Sequence, residues 1–293
     1  MFVVLEPQPR AKGFSARACG FLRPAAPQLV QVKVPSAAAF YRLPLPWRRK
    51  GIDWRRVRGL AGGLAERLLL PPEVVLPEGC GCAVWQGMRL AETQCFHTAL
   101  ALLRACPFDP RGLCVTLVDK DARFTHELRL LMPLAAELRV VTQRPERYYP
   151  IRAAMLAEYG AALLLSERLS AAQGSRVVIA PQADSLADTA LDTIAVTNGA
   201  VNARFAVRGQ GCTLPPEYAA LCPPKIPPES FAAALYECCR AAALGAQAFR
   251  EITLNGVPMA LAEVAGSCDK KILAFPAKTS YNRITQPNTP QMQ

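Results

Sequence analysis

The sequence contains no run of eighteen apolar residues, the length that a helix needs to cross a bilayer. Its first residues, MFVVLEPQPR, carry no basic region ahead of a short apolar run, so a secretory signal peptide is not predicted. Hydrophobic residues make up 51% of the chain and charged residues 19%, which is typical of globular and not of disordered proteins. We therefore expect a soluble protein of the cytoplasm that does not interact with membranes.

Histidine is nearly absent, and the cysteines do not have the spacing of metal ligands. The chain contains 2 histidines, and none of its 11 cysteines forms a C-x-x-C pair. One combination of four candidate metal ligands can be proposed from the sequence: Cys80, Cys82, Cys95 and His97. An odd number of scattered cysteines among apolar neighbours is more typical of buried thiols in a reducing compartment. We predict no metal site.

The chain also lacks a P-loop, a G-x-S-x-G nucleophile elbow, an H-E-x-x-H zinc motif and any internal repeat. Charge is its most biased property, because 34 lysines and arginines against 23 acidic residues give a formal net charge of +11. The basic segment 47–58, WRRKGIDWRRVR, could bind a polyanion or form the solvated face of a helix capped by Asp53. We favour the helix and do not expect a nucleic-acid partner.

The stretch from Leu113 to Pro181 determines the predicted fold, because short apolar runs alternate in it with helical patterns. A helix is predicted to begin at Asp121 as its N-cap, and another to run from Pro145 to Gly160. Strands that alternate with helices form parallel sheets with right-handed crossovers, so the fold class is predicted to be α/β. The predicted strands are 113–118, 138–142, 162–165, 176–180 and 193–196.

Composition changes along the chain divide it into three predicted parts. Residues 1–108 are predicted to form an N-terminal α+β domain, and the proline- and glycine-containing segment 106–112 to link it to the parallel sheet. Residues 109–265 are predicted to form the α/β domain, which ends with a packing helix from Phe231 to about Arg250. The polar, proline-containing remainder, 266–293, is predicted to be a disordered tail.

Parallel sheets of this kind bind ligands beyond the carboxyl ends of their strands. We therefore expect a site for a small molecule or a nucleotide at that edge, and leave the oligomeric state open. The candidate binding residues at the predicted strand ends are Asp119, Thr142, Gln143, Arg144, Ser166, Thr197 and Asn198.

Residues 112–200 resemble the dinucleotide-binding domain of Rossmann oxidoreductases, particularly the shikimate dehydrogenase and glutamyl-tRNA reductase type. The resemblance rests on element order and on the segment 140–160, VVTQRPERYYPIRAAMLAEYG, which is similar to the second strand and following helix of that family. It implies a Rossmann-like three-layer parallel sheet, with Thr142, Gln143, Arg144 and Arg147 near the adenosine ribose. An arginine at this place would suit a 2′-phosphate, so the implied cofactor is NADP.

The glycine-rich turn of that family is missing. The corresponding segment, 119–128, reads DKDARFTHEL, and no glycine occurs between Gly112 and Gly160. Side chains would crowd a pyrophosphate there, and Asp119 with Asp121 would repel it. We therefore predict a non-standard ligand-binding or regulatory protein that has lost the usual dinucleotide-binding turn, with an NADP-dependent oxidoreductase as the alternative.

A further alternative concerns the same segment. Apolar residues followed by Asp119, Lys120 and Asp121 are similar to the first motif of haloacid-dehalogenase-type phosphatases. This resemblance implies a magnesium-dependent phosphohydrolase in which Asp119 attacks phosphorus, Asp121 acts as acid and base, and Thr142 binds phosphate. Arg123 stands where that family has a threonine. The simpler interpretation is an aspartate turn that leads into a helix.

Overall fold

The structure is a computed structural model that describes residues 1–8, 27–36, 38–46, 51–106, 108–160, 162–182 and 190–272. Its strands are β1 (Val3–Gln8), β2 (Val30–Lys33), β3 (Ala39–Pro46), β4 (Leu68–Leu69), β5 (Cys114–Val118), β6 (Glu137–Val141), β7 (Leu163–Ser166), β8 (Val177–Ala180), β9 (Ala190–Thr197), β10 (Asn202–Gln210), β11 (Glu251–Leu254) and β12 (Val257–Met259). Its α-helices are α1 (Trp54–Ala61), α2 (Arg89–Ala105), α3 (Tyr149–Tyr159), α4 (Pro216–Ala219), α5 (Pro228–Cys239) and α6 (Leu261–Ile272). No helix within these ranges is long and apolar enough to cross a membrane.

The larger sheet has eight strands in the order β12-β11-β10-β9-β8-β5-β6-β7. Strands β5 to β8 pair in parallel, as do β8 and β9, whereas β11 pairs antiparallel with β10 and with β12. The chain builds outward from β5 through β6 to β7 and then returns to the other side of β5 with β8. This reversal of strand order is the defining feature of Rossmann-like sheets. The predicted α/β, Rossmann-like parallel sheet is confirmed.

The central strands are apolar on both faces, and both faces are covered. Val115, Leu117 and Val177 pack on one face against α2, α3 and α6. Val118 and Val178 pack on the other face against the 3-10 helix Leu169–Ala172. The central strands are apolar at successive positions because both of their faces are buried. A strand with one face in solvent would instead alternate apolar and polar residues.

The smaller sheet has the order β2-β3-β1-β4 and lies between two helices. Helix α1 packs on one face. The other face packs against α5, where the Phe231 ring lies edge-on to Phe40 and Phe2 at centroid distances of 5.3 and 6.1 Å. The chain thus returns late in the sequence to cover its own first sheet. The division at residues 108 and 109 stays a prediction.

Three predicted elements differ in the structure. The helix expected from Asp121 is a 3-10 helix, Glu127–Leu134, that contains Pro133, which has no N–H for the α-helical pattern. The packing helix α5 ends at Cys239 because Arg240 adopts a left-handed conformation, with φ of 54°. Helix α6 continues to Ile272 with Cys268 buried, so the expected tail does not begin at 266. Residues 273–293 lie outside the described ranges.

The helix interpretation of the basic segment is confirmed from Trp54 to Ala61. The Asp53 carboxylate accepts a hydrogen bond of 3.2 Å from the Arg56 amide and so caps α1. Val57 and Ala61 are buried against the small sheet, which leaves the arginines on the solvent side. The first part of the segment, 47–50, is not among the described residues.

Candidate functional site

Hydrogen bonds join the ends of five neighbouring strands along the carboxyl edge of the large sheet. The Thr142 amide donates to the Ser166 carbonyl at 2.9 Å, and the Gln143 amide donates to the Lys120 carbonyl at 3.1 Å. Two side chains extend this series. The Gln182 Oε1 atom accepts from the Lys120 amide at 3.0 Å, and Asn198 donates through Nδ2 to the Pro181 carbonyl at 2.9 Å. The structure therefore brings the strand ends that carry the predicted site residues together at one edge.

These residues differ in what they can offer to a ligand. Gln143 and Arg144 are exposed, and Ser166 and Asn198 are half-buried. The hydroxyls of the buried Thr142 and Thr197 accept hydrogen bonds of 3.1 Å from the Arg144 and Gly199 amides. Each threonine hydroxyl thus stabilises the turn that follows its own strand by accepting from the amide two residues further on. A role of the remaining residues in cofactor binding stays a prediction.

Asp119 lies beneath the edge and not on it. Its carboxylate is fully buried, and its Oδ2 atom accepts hydrogen bonds from the Phe124 amide at 2.8 Å and from the Tyr148 hydroxyl at 2.6 Å. Burial and the neighbouring Asp119 charge raise the pKa of Tyr148 above its usual value, so the phenol stays a donor. The expectation that Asp119 faces a ligand and repels a pyrophosphate is wrong, because its side chain turns inward.

The bend after β5, residues 119–124, uses its own backbone amides. The Lys120 amide donates a hydrogen bond to the Gln182 side chain, and the Ala122 amide donates one to the Asp119 carbonyl at 3.2 Å. The Phe124 amide donates a hydrogen bond to the Asp119 carboxylate. Ala122 is buried, and its backbone adopts the left-handed conformation with φ of 54°. This conformation costs an alanine roughly 1–2 kcal/mol of conformational free energy. The chain thus makes a tight turn without glycine, and these three amides are not directed at a ligand.

An ion network connects the bend to α2. Arg123 contacts both carboxylate oxygens of Glu92 through Nη1, at 2.8 and 2.6 Å, and Asp121 through Nη2 at 2.7 Å. Glu92 is 6% exposed, and burial raises its pKa, an effect that the Arg123 charge opposes. The half-buried Asp121 also accepts a 3.3 Å hydrogen bond from Gln182. Asp121 therefore neutralises an arginine and does not stand alone in the bend.

These contacts do not support the phosphohydrolase alternative. A nucleophilic carboxylate must reach its substrate, whereas Asp119 is fully buried and bound to Tyr148. The Thr142 hydroxyl, the expected phosphate ligand, is also buried, and it donates to the Lys120 carbonyl at 3.4 Å. Asp119 and Thr142 thus form hydrogen bonds within the protein through the side-chain oxygens that this alternative assigns to a phosphate.

The candidate metal ligands Cys80, Cys82, Cys95 and His97 do not form a metal-binding cluster in the described part of the chain. Among the described residues, no three His, Cys, Asp or Glu side chains lie close enough together to hold a metal ion. Cys95 is buried in the main core, and burial raises the pKa of its thiol far above the usual value. Such a thiol is protonated and inert, in keeping with a small buried hydrophobic residue.

Two cavities lie beside the first half of α2, on either side of it. The smaller, about 390 Å³, adjoins the bend and is lined by Glu92, Arg123 and Arg147. The larger, about 550 Å³, lies between α2, the end of β10 and the first turn of α5. We call the larger one the α2–α5 cavity. It includes Asn198 from the predicted site, and its volume is in the range of small-molecule sites.

Two residues that line the α2–α5 cavity each have one buried polar atom without a hydrogen-bond partner among the described residues. One is Nε2 of Gln94, whose side chain is 3% exposed, and the other is Oδ1 of Asn198. An unsatisfied buried polar group costs about 1–3 kcal/mol, so such atoms call for an explanation.

Sequence reasoning identified Asn198 but missed Gln94, Gln182 and Tyr148. Gln94 is a polar residue within a helix whose neighbours face the core, and this was the one available signal. Gln182 follows a strand end that was identified, but its contact with Lys120 joins residues 62 positions apart. Contacts over such separations are decided by the fold and not by local pattern.

Comparisons with known proteins do not assign the chain to a family. No protein-family model matches the chain, and no curated protein matches it in sequence. Among solved structures, the chain is similar to L-tryptophan dehydrogenase from Nostoc punctiforme, with a TM-score of 0.33 and 9% sequence identity. The similarity covers 93% of this chain and 87% of that one. A TM-score this low carries no conclusion about the chain, and its Rossmann-like α/β fold is shown by the strand order of its own larger sheet.

Proposed function

We propose that this protein binds a small molecule in the α2–α5 cavity and not a dinucleotide across the bend after β5. One observation carries the proposal. The amides of Lys120, Ala122 and Phe124 are bonded to Gln182 and Asp119, whereas a dinucleotide needs the amides of this bend for its pyrophosphate. The α2–α5 cavity, by contrast, is larger than the cavity beside the bend, and two of its lining residues, Gln94 and Asn198, each have an unsatisfied polar atom.

A second candidate is an NADP-dependent oxidoreductase of the shikimate dehydrogenase and glutamyl-tRNA reductase type. The observation that favours it is the exposure of Arg144 and Arg147 just beyond β6, where the ribose phosphate would lie. Arg147 also lines the smaller cavity beside the bend. In this case the cofactor would contact the protein through its adenosine end while the bend contributes few hydrogen bonds.

Titration with NADPH and NADH separates the two candidates. We expect neither nucleotide, at millimolar concentration, to raise the melting temperature, because the Lys120, Ala122 and Phe124 amides cannot turn outward without breaking their present hydrogen bonds. Differential scanning fluorimetry measures this directly. Stabilisation by NADPH but not NADH, lost in Arg144→Ala and kept in the control Arg104→Ala at the far end of α2, would establish NADPH binding and favour the oxidoreductase candidate instead.

A further inference from the structure

The segment between β4 and α2 carries two cysteines separated by a single glycine, Cys80-Gly81-Cys82. Both cysteines are half-buried and both are free thiols. The Cys80 Sγ atom donates a weak hydrogen bond of 3.9 Å to the Cys82 carbonyl, and the side chains of the two cysteines are also hydrogen-bonded to each other. Two thiols that lie in contact and are partly open to solvent meet the first requirement for a reversible disulfide.

The backbone around Gly81 brings the two thiols together. Gly81 adopts the left-handed conformation with φ of 71°, which glycine does without strain and which folds the chain back on itself. The next residue, Ala83, is fixed beside the small sheet, because its amide donates to the Ala65 carbonyl at 2.9 Å. Cys82 is thus held next to a strand, whereas Cys80 lies in the loop before it.

A guanidinium group lies against the glycine between the two thiols. A Cβ atom on Gly81 would be 2.7 Å from the Nη1 atom of Arg58, which extends from α1. Burial raises the pKa of the Cys82 thiol and Cys80 adds to this rise, whereas the Arg58 charge opposes it. A positive charge beside a pair of thiols stabilises the thiolate, which is the form of cysteine that reacts with a disulfide.

Other described cysteines have a different environment. Cys238 and Cys239 are adjacent in sequence, but Cys239 is buried, and its thiol donates to a backbone carbonyl of β3 at 3.6 Å. Cys222 and Cys238 are half-buried, and burial raises the pKa of both thiols. They therefore serve as internal references for an ordinary, partly exposed thiol.

From these contacts we propose that Cys80 and Cys82 form a redox-active dithiol that exchanges with a disulfide-bonded molecule. The Cys80 thiolate attacks one sulfur of that disulfide, whose S–S bond breaks, and the other sulfur leaves as a thiolate that takes up the proton released by Cys80. Cys82 then loses its proton and attacks the Cys80 sulfur of the mixed disulfide, which expels the second thiolate, protonated in turn. The dithiol is oxidised to a disulfide, and the attacked molecule is reduced to two thiols.

The product disulfide would be easily reversed. A bond across a single residue closes a small, strained ring, and strained or exposed disulfides are readily reduced and typical of catalytic sites. Excess reduced glutathione is therefore expected to restore both thiols. This activity goes beyond the proposed function and does not depend on which molecule binds in the α2–α5 cavity.

Oxidised glutathione is the probe, and a tryptic peptide gives the readout. Trypsin releases residues 68–89 as one peptide, in which Cys80 and Cys82 are the cysteines. The full chain is incubated with oxidised glutathione and EDTA, denatured in iodoacetamide to block the remaining thiols, digested and analysed by mass spectrometry. We expect an internal disulfide in this peptide, formed at least about tenfold faster than glutathione adducts at Cys222 or Cys238.

Variants separate the steps of the exchange. Cys82→Ser removes the thiol that resolves the mixed disulfide, so a glutathione adduct is expected to accumulate on Cys80. In the Cys82→Ser background, Arg58→Gln is expected to slow formation of this adduct roughly threefold, and Arg58→Lys to restore most of the rate. The matched control is Arg55→Gln, which changes another exposed arginine of α1 and is expected to leave the rate unchanged.

Three results would overturn the proposal. The first is a wild-type peptide in which iodoacetamide has alkylated both cysteines, and the second is a stable glutathione adduct on each of them. The third is reaction of Cys80, Cys222 and Cys238 at equal rates, because Cys80 would then be an ordinary thiol. An internal disulfide in the wild type, replaced by an adduct on Cys80 in Cys82→Ser, supports the proposal.

Discussion

Replacing Asp119 with alanine is expected to lower the free energy of unfolding by about 4 kcal/mol. Asp119 accepts two charge-assisted hydrogen bonds, at 2.8 and 2.6 Å, each of which contributes about 1.5–3 kcal/mol. Without it, the Phe124 amide and the Tyr148 hydroxyl are buried with no acceptor, and the bend loses the group that holds it closed. The loss of the unpartnered Oδ1 atom offsets part of the cost. Urea denaturation followed by circular dichroism measures the change.

The matched control is Asp121→Ala, two residues further along the same bend. The Asp121 side chain is 43% exposed and forms its ion pair at the surface, so its removal is expected to cost less than about 1 kcal/mol. Equal effects of the two variants would contradict the structural role of Asp119. Hydrolysis of a generic phosphate ester by the wild type with magnesium, lost in Asp119→Asn, would restore the phosphohydrolase alternative.

Replacing Arg123 with alanine is expected to cost about 2 kcal/mol near neutral pH. The change leaves the buried Glu92 carboxylate without its counter-ion, a type of loss that reaches 3–5 kcal/mol in fully buried pairs. The smaller value is expected here because the Arg123 side chain is 37% exposed and water can approach the site. Chemical denaturation at several pH values is the measurement.

The cost should depend on pH in a defined direction. Burial raises the pKa of Glu92, and removal of Arg123 takes away the charge that opposes this shift. A raised pKa in the folded state means that stability is kept at low pH and lost as the pH rises through that pKa. The Arg123→Ala protein is therefore expected to recover part of its stability below pH ~5, near the ordinary glutamate range.

The double variant Arg123→Ala, Glu92→Gln completes the test. A glutamine at 92 has no charge to compensate, so the double variant is expected to be more stable than Arg123→Ala alone at neutral pH. If the two proteins were equally stable, or if the cost of Arg123→Ala did not change with pH, Glu92 would not be the partner that makes Arg123 necessary.

Local pattern was sufficient to predict the sheet. Runs such as 113–118 and 176–180 are apolar throughout, and only burial on both faces, in the middle of a parallel sheet, accommodates such runs. The end of each run also marked the edge where a site would lie. Pattern could not show which way Asp119 turns after its strand, because its inward partner, Tyr148, is 29 residues away.

The predicted termination of helices was less accurate, for a related reason. The helical spacing of residues 231–250 continues past Cys239, and nothing local marks Arg240 as left-handed. Helix α5 ends where Arg240 turns left-handed, and a short 3-10 helix, Ala242–Leu244, follows it. Gln94 was missed similarly, since its importance depends on a cavity formed by residues far apart in sequence.

Amide hydrogen exchange at Lys120, Ala122 and Phe124, measured by NMR with and without NADPH, tests the central claim most directly. All three amides have acceptors within the protein, and two of these acceptors belong to the buried Asp119. We expect slow exchange at all three and no change in their chemical shifts when NADPH is added. Fast exchange in the free protein, with protection and large shift changes on addition of NADPH, would show that the bend opens to hold a dinucleotide.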